Sequence, residues 1–505
     1  MTAPMAVPAA GALTWPDYVV VAVALAALLL IGGAFTWEQR GTRDFFLARR
    51  QIPWWAACLS FLATEISAVT IISVPATAYS ENWEYVQFFV GASLAKLAVA
   101  WLFIPAFYRH DCTTIYEFLG VRFGAASQVA GAAFFFVTRL LGSGVRLMAA
   151  CVAVAVLVGW PVSAVIALFT AVSIAYIALG GVKAVVWTNV FQAGTFLVAG
   201  VVTLTFLAAQ VGGLGGILAT AGAAGRLDVI DWGPAPGAPD FWRRLLTDPN
   251  IVWLALLNGF VGSMAAFGTD HDLMQRLLTV GTRRESQRTL ALTPFGTLLT
   301  LAIYLTVGAG LYAYYAQRPW LPVSRPDEIL PHFVRTAMPE MSRGLVLAAI
   351  VLASIDSPLG SLSASFVTDL YRRVVRGASE RHYLAASRAA VAGFGLVLAA
   401  LAWGFSFFDQ FLWLAFKIAG VTFGSLLGVF LLGLLTRVRA NRANVVAMVA
   451  MAAVNLWLLV ASETGRITLG WSWLVIVGTL GTMALAVLLA PLLDGGPREG
   501  RRAGG

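Results

Sequence analysis

The sequence predicts an all-α polytopic membrane protein of about 13 transmembrane helices, and three observations carry that reading. Of the 505 residues, 59% are hydrophobic and only 12% are charged, against about half and about a quarter in a soluble domain. The apolar residues gather into runs long enough to cross a bilayer, which takes about 20 residues of helix. The basic residues fall unevenly among the connections. So few charges cannot cover the surface of several soluble domains, which excludes a soluble enzyme, a disordered chain and a disulfide scaffold. Cys58, Cys112 and Cys151 lie in or near apolar runs and offer no framework.

In chain order the spans run near 16–37, 53–79, 85–108, 127–158, 161–180, 185–209, 251–270, 290–315, 344–371, 389–406, 409–435, 444–461 and 471–491. The first follows a leader without Lys or Arg, unlike a cleavable signal peptide with its basic start, so it is expected to be retained. An odd number of spans puts the termini on opposite sides. With the N-terminus outside, the inner connections hold 22 Lys and Arg, the outer ones hold 8, and four lie within spans. Basic residues accumulate on the cytoplasmic side, so the N-terminus is expected outside and the C-terminus inside. The same excess accounts for the net charge of +9 without any nucleic acid. The longest outer connection, about 211–250, is rich in Gly, Ala and Pro and reads as a surface loop; the tail from Asp494 reads as a disordered cytoplasmic end.

An ionisable group at membrane depth is costly, so each is a functional candidate. Four bases and two acids qualify: Lys96, Arg139, Arg146, Lys417, Glu65 and Asp356. Arg139 and Arg146 are about two turns apart and share a helix face, so one can be structural while the other serves a ligand. For Lys96, structure or snorkelling is expected. Asp356 lies near the middle of its span, among Ser354, Ser357, Ser361 and Ser365 at helical spacing. Serines alone are commonly packing residues. Hydroxyls, a carboxylate and freed carbonyls together are what a hard cation needs in place of water. Glu65 sits midway along a long run with Pro75 in its outer half, and Asn258 to Ser263 is interrupted by glycine. Two interrupted spans five apart point to an inverted-repeat transporter with its site at the break. The surplus of interior bases favours an anionic ligand.

Several segments carry a family resemblance. Gln51-Ile52-Pro53-Trp54-Trp55 with Ala63-Thr64-Glu65-Ile66-Ser67 resembles the first core helix of the sodium/solute symporter family. Gly180-Gly181-Val182-Lys183, Thr188-Asn189, Gly268-Thr269-Asp270 with Gln275-Arg276, Ser354-Ile355-Asp356-Ser357 and Thr368-Asp369-Leu370-Tyr371 follow in family order. The resemblance implies a LeuT-like fold. Residues 1–38 would form an extra N-terminal helix, and 39–442 a core of two inverted five-helix repeats, about 53–209 and 251–435. Residues 443–505 would hold two C-terminal helices and the tail. It also implies symport of a small solute with Na⁺ by alternating access, with the lipid bilayer and no obligatory protein as further partner.

Carried over by position, the Na⁺ ligands would be carbonyls of Ala63, Ile66 and Ile350 with the Ser354 hydroxyl; Ala353 stands where the family has a second hydroxyl. Asn189 replaces an Asp that serves a second Na⁺ site in some members, while Asp356 adds an acid opposite, with Ser357 beside it. Glu65 and Asn189 are coupling or proton candidates. Substrate positions are Arg146, Ser263, Phe267 and Lys417. Ala266 at the aromatic gate of the sugar branch disfavours a sugar and leaves a small organic anion, such as a monocarboxylate, in the lead. Proton coupling and a neutral amino acid or sugar remain alternatives, as does a transporter-like membrane sensor. No metal cluster, nucleophile motif or phosphate loop supports an enzyme. Three lysines against 31 arginines suggest a GC-rich bacterium, hence an inner-membrane protein.

Overall fold

The computed structural model describes residues 13–35, 42–321, 325–354, 358–407 and 411–494. In order the helices are α1 Trp15–Ala34, α2 Thr42–Leu47, α3 Trp54–Glu65, α4 Ala68–Ser80, α5 Tyr85–Arg109, α6 Ile115–Arg122 and α7 Ala125–Val158. Then come α8 Val162–Gln210, α9 Gly213–Ala223, α10 Phe241–Thr247, α11 Val252–Thr269, α12 His271–Leu278, α13 Arg283–Ala316 and α14 Ile329–Ala337. The last are α15 Ser342–Ser354, α16 Pro358–Ser365, α17 Arg372–Val374, α18 Glu380–Phe405, α19 Phe411–Leu435, α20 Asn441–Glu463 and α21 Ser472–Leu493. Among the described residues, strand pairing is limited to two isolated bridges.

Eleven of the described helical segments are long and apolar enough to cross a bilayer, and α3 with α4 meets the same test only as a pair, bent by 57°. The expected span at 161–180 is the first part of α8. Its apolar stretch, Val162–Ala175, is shorter, and it joins Gly181–Gln210 through Gly181 at φ 61° and ψ −170°. Only glycine adopts that conformation without strain, so this residue sets the kink. The connection 211–250, expected as a plain loop, carries α9 and α10. A short bridge from Asp231 to Ile251 closes it.

Two helix breaks bear on the site, one between α3 and α4 and one between α11 and α12. Between α3 and α4, Ile66 is extended (φ −79°, ψ 108°) and Ser67 caps the next helix, donating its backbone N–H to Thr70 Oγ1 at 3.3 Å. The second break corrects the sequence reading. Helix α11 runs unbroken through Asn258 to Ser263 and ends instead at Asp270, which is extended and accepts the Asp272 N–H at 2.8 Å to start α12. The glycines serve contact, not unwinding: a Cβ on Gly259 would overlap the Phe88 carbonyl, and one on Gly91 the Leu256 carbonyl. Small residues of this kind let membrane helices meet backbone to backbone.

Around the first break pack α7, α13 and α15. Helix α1 is tied to α15 by Asp17, which is fully buried, pairs with Arg343 at 2.9 Å and accepts the N–H groups of Met341 and Gly344 at 2.9 and 3.1 Å.

Candidate functional site

A helix that stops inside a bundle leaves carbonyls at one end and N–H groups at the other without helical partners. The α3/α4 break therefore presents acceptors from α3, which suit a cation, beside donors from α4, which suit an anion. Arg146 of α7 reaches this point and donates from Nη1 to the Thr64 carbonyl at 3.0 Å. Asn189, fully buried on α8, donates to Ser60 Oγ at 3.2 Å and Thr64 Oγ1 at 3.0 Å, so it fastens α8 to the last turn of α3.

Beside the break lies a cavity of about 220 Å³. Its lining includes the charged and polar side chains Glu65, Ser67, Arg139, Arg146 and Asp270. Its aromatic lining is Tyr85, Phe88 and Phe89 of α5, Phe416 of α19 and Trp471. These rings touch one another: Phe416 stacks on Trp471 at 5.1 Å between centroids, and Phe88 meets Phe416 edge-on at 5.2 Å. Asn258 and Ser263 face the cavity from α11, with Ala266 and Phe267 below them. A smaller space of about 40 Å³ adjoins it, sharing Ser67, Arg139 and Arg146 and adding Ser143, Thr170 and Ala353.

Around the charged lining, ions are paired. Arg139 bonds Asp270 at 3.1 Å and also Asp272, which in turn meets Arg276 at 3.2 Å; all four are buried. To one side Lys96, 1% exposed, pairs with Glu65 at 2.7 Å, and Thr297 donates to the same carboxylate oxygen at 2.9 Å. The Lys96 ammonium also lies 5.0 Å from the centre of the Phe267 ring.

A model of the sodium:solute symporter family matches residues 45–453. The chain belongs to that family. The sodium/sialic acid symporter of Aliivibrio fischeri is 28% identical over 94% of this chain and 93% of its own length. The sodium-coupled monocarboxylate transporter 1 of Homo sapiens is 27% identical over 88% of this chain and 73% of its own length. A solved Na⁺-coupled sialic acid symporter, in a substrate-bound outward-open state, matches in fold with a TM-score of 0.83 at 24% identity, covering 95% of this chain and 98% of that one. This sodium:solute symporter is thus an integral membrane protein of the LeuT-like fold that moves a small solute with Na⁺, a secondary transporter and not an enzyme.

Within the symporter, the sequence-derived positions fare differently. Arg146, Ser263 and Phe267 line the larger cavity. Lys417 does not. It pairs with Glu463 at 2.8 Å, the two side chains 31% and 52% exposed, while its neighbours Phe416 and Ala419 face inward. A long aliphatic stem lets a lysine near a helix end carry its charge outward.

Ala63 and Ile66 are buried on either side of Glu65 at the break, and Ile350 is buried on α15. Asp356, Ser357 and the Ser354 side chain lie outside the described residues. Of the remaining serine stripe, Ser361 donates to the Pro358 carbonyl at 3.0 Å within α16, and Ser365 donates to the Asp369 carboxylate at 2.8 Å in the segment that follows it. Glu65 lines the cavity with its charge met by Lys96, and Arg139 has two carboxylates.

Sequence reading passed over Asp270 and Asp272 as site residues, because both sit at the expected end of a span, where charge is ordinary. It also passed over the ring cluster, whose members are scattered along the chain.

Proposed function

We propose that the solute is a small organic anion, a monocarboxylate in its simplest form, imported together with Na⁺ by alternating access. The observation that carries this is the position of Arg146, a guanidinium facing the cavity where the α4 N-terminus also points its donors. Guanidinium binds carboxylate through two parallel bonds, and a helix start adds to the pull on the same charge. The named solutes of the relatives, sialic acid and monocarboxylates, share a carboxylate. For Na⁺, the carbonyls of Ala63 and Ile66 with that of Ile350 form one side, and Ser354, Asp356 and Ser357 supply the rest, Glu65 and Asn189 holding the break in shape. We place the N-terminus outside and the C-terminus in the cytoplasm of a bacterial inner membrane, with residues 39–442 as the core of two repeats, about 53–209 and 251–435. On that orientation the ring cluster is the outer side and the ion network the inner side.

The deciding experiment is uptake into proteoliposomes under an inward Na⁺ gradient, comparing carboxylic acids with their amides. Acids should accumulate and amides should not; equal uptake of both would remove the anion reading. Arg146→Ala should abolish uptake of the acid, and Asp356→Ala should uncouple it from Na⁺. Full Na⁺-driven uptake by the second variant would remove Asp356 from the cation site.

A further inference from the structure

The cavity wall holds two carboxylates, and they are used differently. Asp270 has both oxygens engaged: Oδ2 takes Arg139 at 3.1 Å and Oδ1 takes the Asp272 N–H at 2.8 Å. Glu65 is engaged on one side only. Lys96 at 2.7 Å and Thr297 at 2.9 Å both donate to Oε2, while Oε1 has no hydrogen-bond partner among the described residues. Of these three side chains Glu65 is the one that lines the cavity.

We propose that Glu65 is a specificity-determining residue: Oε1 accepts a hydrogen bond from a hydroxyl on the solute, so the symporter prefers a hydroxylated carboxylate to the same acid without its hydroxyl. The inference rests on the organic-anion reading above and names a second group that the anion carries.

The argument begins with what each polar group can do. An ionised carboxylate accepts hydrogen bonds and cannot donate, whereas hydroxyls and amides do both. Thr70, Thr138, Asn258 and Ser263 line the same cavity and suit donors and acceptors alike. Glu65 discriminates because it suits only a donor. Water meets such an oxygen while the cavity is empty. A solute that takes the water's place without an O–H or N–H leaves a charged acceptor unpaired, a loss larger than the net gain of an ordinary hydrogen bond.

The clamp on Oε2 adds direction. Lys96 also donates to Thr297 Oγ1 at 2.8 Å, and its ammonium lies 5.0 Å from the centre of the Phe267 ring. The carboxylate is thus anchored to α5 and α13 before any solute arrives. An anchored acceptor loses little freedom when the bond forms, which strengthens its selection.

Charge decides between the two kinds of donor. Lys96 already supplies one positive charge to this carboxylate. An ammonium at Oε1 would stand a few ångströms from that of Lys96, and like charges so close repel strongly away from bulk water. A hydroxyl brings the same hydrogen without the repulsion.

The test uses the full chain in proteoliposomes under an inward Na⁺ gradient. It measures competition within matched pairs: lactate against propionate, 3-hydroxybutyrate against butyrate, and alanine against lactate. Thermal shift of the purified protein with the same compounds reads binding apart from transport. In at least one of the first two pairs the hydroxy acid should compete about tenfold or more better than its partner. In Glu65→Gln combined with Lys96→Met, which leaves no buried ammonium unpaired, that ratio should fall towards one. Glu65→Asp, which keeps the charge and withdraws the oxygen, should lower it too. Such a ratio does not depend on how much of a variant folds, and a residue that merely holds the helix break would change both members of a pair alike. Ratios near one in both pairs, or a parental ratio that survives both substitutions, would overturn the proposal. So would variants altered only in their Na⁺ dependence. Alanine taken in preference to lactate would overturn the choice of hydroxyl over ammonium. Should lactamide compete as well as lactate while propionamide does not, the organic-anion reading falls and the Glu65 contact stands.

Discussion

Two parts of the site are built from opposite kinds of chemistry. In one, five rings from α5, α19 and the start of α21 meet through apolar contact. In the other, Arg139, Asp270, Asp272 and Arg276 are joined by buried ion pairs. Apolar contact is non-directional, so rings can slide and part in small steps. A buried ion pair tolerates no such half-measure, because separating it leaves charge without water or partner. The difference teaches which part is graded and which is all-or-none.

The largest effect is expected at the ion network. Asp272→Ala removes the carboxylate shared by Arg139 and Arg276, and breaking a buried pair in this way costs about 3–5 kcal/mol. The melting temperature in detergent should fall sharply, or folded protein should fail to appear. A variant as stable as the parent would refute the all-or-none account. Next comes Lys96→Met, which orphans Glu65 at the helix break. A destabilisation of about 2–3 kcal/mol and loss of uptake are expected, with partial recovery when Glu65→Gln is added; a double variant no better than the single one would show that the pair is not the reason.

In the ring cluster Phe416→Ala should be milder, about 1–2 kcal/mol for a half-buried ring that keeps its neighbours. Its signature should be a raised KM with little change in melting temperature, the reverse of Asp272→Ala. Smallest of all is Lys417→Ala. Its partner Glu463 is 52% exposed, and a surface pair contributes under about 1 kcal/mol. Uptake and stability should stay near parental values; a large loss of uptake would return this lysine to the substrate list.

The residues also mark where sequence reading stops. Charge in an apolar run is visible one residue at a time, which is why Glu65, Arg139 and Arg146 stood out and why all three line the cavity. The break at Ile66-Ser67 was legible because a long run, a central acid and a downstream proline coincide. The glycines of α11 misled, since a glycine that bends a helix and one that admits a neighbour look alike until the neighbour is known. Here the neighbour is Phe88, more than 160 residues earlier in the chain. The ring cluster was illegible for the same reason: residues 85–89, 416 and 471 share no local pattern and meet only in the folded chain. Lys417 shows the complementary limit, because position along a span does not say which way a long side chain turns.

The glycine seam between α5 and α11 has a mechanical meaning. Main-chain carbonyls sit in notches with no side chain to rearrange, so slippage along the seam would drive backbone into backbone. The two helices are geared together: whatever tilts one carries the other. A guest pressing on Asn258 or Ser263 thereby pushes on Phe88 and Phe89 as well, and the wall that feels the cargo is fastened to the wall that seals it in.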